Sequence, residues 1–114
     1  MITIHNNEEP LHKLAKEIHE NAVAHGWWDE ERNLLEIVAL CHSELSEAVE
    51  EYRAGRPMAW ANDDGKPEGI ATEMADCLIR ILDWFGHEGL DVDEIVRQKM
   101  AYNRGRPYKH GKKC

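Results

Sequence analysis

A chain of 114 residues fits one compact domain, residues 1–114, and a hydrophobic fraction of 42% gives it a core, though a small one that association between copies would extend. The formal net charge of -8 excludes a general footprint for a nucleic-acid polymer, because such surfaces carry excess lysine and arginine to neutralise phosphate. No apolar run reaches the roughly 18 residues of a membrane span, and MITIHNNEEP lacks a signal-peptide pattern, so a cytoplasmic protein with no membrane partner is expected.

Helical periodicity runs through the chain, with no convincing strand alternation. The first helix is expected from about Glu8 to Ala24, with Pro10 in its first turn and Leu11, Leu14, Ala15, Ile18 and Ala22 on one stripe. A link holding Trp27, Trp28 and Asp29 leads to a second helix from about Glu30 to Ala54, stopped by Gly55 and Pro57. Residues Arg56 to Gly69 have loop composition with a turn signal at Asp64-Gly65, and a connector of this length in so small a domain is often functional or mobile. A third helix is expected from Ile70 to Phe85, broken by Gly86 to Gly89. The fourth starts at Asp91, where Asp91 and Glu94 have the spacing of a capping pair, and ends near Asn103. Beyond it RGRPYKHGKKC reads as an irregular basic tail. Cys41, Cys77 and Cys114 are odd in number and lack CxxC spacing, which suggests neither a disulfide framework nor a structural zinc site.

The carboxylates carry the chemistry. At about 100° per residue, Ile37, Leu40, Cys41, Leu45, Ala48 and Tyr52 form an apolar arc on the second helix. Glu44 falls inside that arc, Glu51 lies near its edge, Glu47 just past it, and Glu50 points away. A carboxylate facing a core loses its hydration at a cost of several kcal/mol, roughly, so Glu44 needs a partner. The third helix is apolar on most sides, with one polar strip of Thr72, Glu73, Asp76, Arg80 and Asp83. That strip reads either as a solvated seam, with Asp76 paired to Arg80, or as half of a site. Two facing antiparallel helices would gather Glu44, Glu47, Glu73 and Asp76 around one point. An all-oxygen set suits Mg²⁺, with Mn²⁺ as the alternative, and the Glu-x-x-His motifs of a di-iron bundle are absent. On the fourth helix the stripe of Val92, Ile95 and Val96 continues through Lys99 and Asn103, which offer a cation and an amide to phosphate or sugar, or else snorkel and end the helix.

ELSE at 44–47, EMAD at 73–76 and KMAYN at 99–103, in this order on expected helices, resemble the MazG-like branch of the all-α nucleoside triphosphate pyrophosphohydrolases. The resemblance runs from about Trp27 to Lys113. It implies an all-α four-helix bundle that forms a homodimer or homotetramer. It also implies Mg²⁺-dependent hydrolysis of (deoxy)nucleoside triphosphates between the α and β phosphates, a nucleotide-pool housecleaning activity. Carried over by motif, Glu44, Glu47, Glu73 and Asp76 are the metal ligands, Lys99 and Asn103 contact the triphosphate, and Glu47 is the general base. Trp28 matches a base-stacking aromatic, with His19 and Trp60 as further pocket candidates, and Arg106 and Lys109 of the tail close over phosphate. Two rival readings are a nucleotide-binding or regulatory helical module without turnover, and a purely structural acidic bundle, which leaves Glu44 unexplained.

Overall fold

The computed structural model describes residues 9–113 and is mostly helical. Four helices follow in order: α1 (Pro10–Ala24), α2 (Leu34–Arg53), α3 (Ile70–Glu88) and α4 (Val92–Arg104). The long connector between α2 and α3 is not wholly irregular. It holds a two-residue antiparallel ribbon, β1 (Trp60–Ala61) and β2 (Pro67–Glu68), with Trp60 opposite Glu68 and Ala61 opposite Pro67. The tail is likewise not wholly irregular, since Tyr108–Gly111 form a 3₁₀ turn. Glu8 and Cys114 lie outside the described residues.

Helix boundaries follow local chemistry. Pro10 occupies the start of α1, where its missing N–H costs nothing, but Glu9 supplies no side-chain cap. Asp93 of α4 does so instead: its buried carboxylate accepts from the backbone N–H groups of His12 at 2.7 Å and Leu11 at 3.4 Å. Arg97 adds an ion pair to Glu9 at 2.9 Å, so α4 is clamped to the start of α1. The second helix begins at Leu34 rather than Glu30, because Asn33 accepts from Glu36 N–H at 3.0 Å and fixes the first turn there. Asp91 caps α4 by accepting from Glu94 N–H, as the spacing implies.

The third helix runs through the expected break at Gly86 and ends at Gly89, whose φ of 70° forms the left-handed cap. Gly86 serves close packing: a Cβ there would sit 2.6 Å from His19 Cβ and 2.7 Å from the Ala15 carbonyl oxygen. That approach joins α1 to α3 at the core of Ala15, Leu82 and Val92, bordered by Leu11, Ile18 and Phe85. Another face of α3 packs on α2, where Ile37, Ala48 and Cys77 are buried, making α3 the central element.

Much apolar surface stays outside this core. At about 100° per residue, Leu34, Val38, Leu45, Val49 and Tyr52 form a stripe about 60° wide on α2, all exposed. Met74, Leu78 and Ile81 form an exposed stripe on α3, while Ile95 and Val96 on α4 are also exposed rather than buried. The radius of gyration is 17.2 Å, against about 13 Å for a compact chain of this size. No helix among the described residues is long and apolar enough to cross a membrane.

Candidate metal and phosphate site

The antiparallel contact of α2 with the first turns of α3 brings acids together. One carboxylate oxygen from each of Glu44, Glu47 and Glu73 lies within 4.8 Å of the others. Glu44 is 8% exposed, Glu73 half-buried and Glu47 open to solvent, so the group forms a shelf rather than a sealed cage. The i,i+3 spacing on α2 puts Glu44 and Glu47 on adjacent turns. The start of α3 is fixed by Gly69, whose backbone, at φ 111°, crosses so close to the Met58 carbonyl that no side chain fits. Thr72 Oγ1 donates to Glu68 O at 3.1 Å, and Ala71 N–H to Met58 O at 3.0 Å, holding the first turn against the connector.

Burial and charge crowding act together on these acids. Burial pushes the Glu73 carboxyl up to about 7, helped by the negative charges of Glu47, Asp76 and Glu44 and by a hydrogen bond to Glu44 that requires the proton. Asp76 lies outside the three-oxygen group but is part of the same field. Its carboxyl is raised by burial and by Glu44, against the lowering effect of Arg80 and Lys66. A cluster that keeps a proton near neutral pH through burial and mutual repulsion is one whose charge a divalent cation would offset, and the donors are all hard oxygens. These three residues can hold such an ion.

Arg80, one turn beyond Asp76 on α3, reaches into this group. Its Nη2 lies 3.4 Å from Glu44 Oε1, and its guanidinium carbon sits 4.6 Å from the centre of the Trp27 ring. Glu44 thus finds within the chain, in Arg80, a partner of the kind its burial demands. Beside it a cavity of about 510 Å³ opens between α1 and α3, lined by Glu44, Asp76, Arg80 and Asp83 with Asn21 and Trp27. Sequence reasoning put Arg80 on the polar strip but gave it no role at the site, and missed Trp27 and Asn21 because only the packing of α1 on α3 brings them there.

The aromatics are engaged in the protein itself. Trp28 donates Nε1–H to both oxygens of Asp83 at 3.0 Å and stacks on His87 with ring centres 3.9 Å apart. His19 Nδ1 meets Asp83 Oδ1 at 2.8 Å. Glu51 is not free to reach the acids: it accepts from Arg56 Nη1 at 2.8 Å and Trp60 Nε1 at 2.9 Å, tying the connector to α2. Lys99, Asn103 and Arg106 stand apart, because α4 packs chiefly on α1, and none of them lines the cavity. Lys99 Nζ and the Arg106 guanidinium flank Tyr102, at 5.0 and 5.6 Å from its ring centre. Asn103 is half-buried, with Oδ1 enclosed and lacking a hydrogen-bond partner among the described residues. Lys109 carries a φ of 53° within the 3₁₀ turn and is exposed.

No protein-family model, curated protein or solved structure matches the chain.

Proposed function

We propose that the protein is a MazG-like nucleoside triphosphate pyrophosphohydrolase that uses Mg²⁺, or Mn²⁺ in its place, to cleave (deoxy)nucleoside triphosphates into a monophosphate and pyrophosphate. The observation that carries this reading is the convergence of Glu44, Glu47 and Glu73 beside a cavity, with Glu73 raised to about 7 by burial and by its acidic neighbours. An acidic protein can bind a polyanion in this way, since Mg²⁺, when bound, supplies positive charge to the phosphates and polarises their oxygens.

Glu44, Glu47 and Glu73 would hold the ion, and Asp76 would add its charge from the next turn. Glu47, the most open of the three, takes a proton from the attacking water. The water oxygen then forms a bond to phosphorus as the bridge between the α and β phosphates breaks, and the leaving phosphate oxygen departs with the electron pair. Glu73 would lose its proton to solvent on binding the ion, before the water attacks.

The exposed apolar stripes of α2 and α3 support assembly as a homodimer or homotetramer, because contiguous exposed apolar surface is characteristic of an interface. Lys99, Asn103 and Arg106, which do not line the cavity of their own chain, would have to meet the triphosphate from a neighbouring subunit, and Trp28, braced by Asp83 and His87, would border the base. The test is Mg²⁺-dependent turnover of Glu44→Gln and Asp76→Asn. Each is expected to lose at least about a hundredfold in kcat, with the helical circular-dichroism signal unchanged. Near-normal rates in Glu44→Gln would remove the metal assignment, and near-normal rates in Asp76→Asn would remove Asp76 from the site.

A further inference from the structure

The cavity beside the acidic shelf has an uneven charge. Glu17, Glu44, Asp76 and Asp83 stand on its wall, and Arg80 is the one lysine or arginine among its lining residues. Its side chain is 27% exposed, whereas those of Arg53, Arg56 and Arg97 range from 52% to 71%. The guanidinium is therefore held inside the site, lying over Trp27, instead of extending into water. Its contact with Glu44 is long, at 3.4 Å, where a charge-assisted N–H···O bond is typically about 2.7–2.9 Å. It offers five N–H donors in a planar fork, and the Glu44 contact uses one side of it.

We propose, on the hydrolase reading above, that Arg80 is a phosphate-binding residue of the site, paired with Glu44 while the metal is absent and turned onto the substrate's phosphate chain when Glu44 is engaged by the ion. The geometry favours this exchange. Arg80 stands one turn from Asp76, roughly 6 Å along α3, so a phosphate chain anchored at the carboxylates runs toward the guanidinium. An arginine fork matches two oxygens of one phosphate, which a lysine cannot do. Trp27 packs against the guanidinium, and both side chains line the cavity. Arg80 also gives a single chain its own cation for the triphosphate, where Lys99 and Asn103 are remote.

Pairing with Glu44 makes Arg80 a competitor of the metal as well as a ligand of phosphate, and these two roles predict effects of opposite sign. The experiment uses Arg80→Met, which keeps the stem over Trp27, and Arg80→Lys, which keeps the charge. Mn²⁺ binding is measured without nucleotide, and tripolyphosphate binding is measured by calorimetry with saturating Mn²⁺. Arg80→Met is expected to bind Mn²⁺ several-fold more tightly and tripolyphosphate about tenfold or more weakly, with KM for the triphosphate rising to match. Arg80→Lys is expected to return Mn²⁺ affinity toward the wild-type value while recovering only part of the tripolyphosphate affinity. Loss of both affinities together in Arg80→Met, or tripolyphosphate affinity within about twofold of wild type, would overturn the assignment. Lack of triphosphate turnover by the wild type would instead remove the hydrolase reading, and the two binding measurements would still decide Arg80.

Discussion

Glu73 concentrates the physics of the site in one carboxyl. It titrates near 7 in the folded chain, against an ordinary 4.5, because burial and three acidic neighbours disfavour its charge. The folded state therefore holds a proton that the unfolded state releases. This contribution to stability is intact below about pH 4.5 and is lost as pH rises through about 7. The metal must displace the same proton, so Mn²⁺ or Mg²⁺ affinity should fall by up to about tenfold per pH unit below 7. In thermal melts, added Mg²⁺ should raise Tm at pH 8 and have little effect at pH 5. Glu73→Gln should melt a few degrees above the metal-free wild type at pH 8, since relief of about 1 kcal/mol moves Tm by about 4–8 °C in a domain of this size. It should also lose the Mg²⁺ response.

At the scale of elements, α3 decides what meets what. One strip of it carries Glu73 and Asp76 to α2, Arg80 to the cavity and Asp83 to His19 and Trp28, while Gly86 admits α1. Gly86→Ala should cost about 1–3 kcal/mol in chemical denaturation, because its Cβ meets the Ala15 carbonyl oxygen, which cannot move without α1. Helix spacing made the acidic shelf legible in the sequence: ExxE and ExxD on facing helices leave few alternatives once Glu44 falls on an apolar arc. The Asp91 cap was legible for the same reason, since it is a local signal. Gly86 was misread as a break because a glycine that ends a helix and one that lets another helix approach look identical in one dimension. The ribbon at Trp60–Ala61 and Pro67–Glu68 is too short for a periodic signal and is held by Glu51, a tertiary contact. The continuity of the α4 stripe from Val92 to Asn103 says nothing of which helix it faces. Asp93, off that stripe, is the residue that fixes α4 on α1.

The whole molecule presents two complementary facts, a small core and a wide apolar exterior on α2 and α3. In sedimentation at micromolar concentration the protein should run as a dimer or tetramer. Val49→Glu, at an exposed position that leaves the packing within the chain untouched, should yield a monomer with unchanged helicity. A monomeric wild type would contradict the assembly without touching the acidic shelf. The reaction itself is tested most directly by ³¹P NMR of a (deoxy)nucleoside triphosphate panel incubated with the protein and Mg²⁺. The expected result is paired growth of monophosphate and pyrophosphate signals, absent with chelator. Release of orthophosphate and diphosphate, or no turnover of any triphosphate with Mg²⁺ or Mn²⁺, would contradict it.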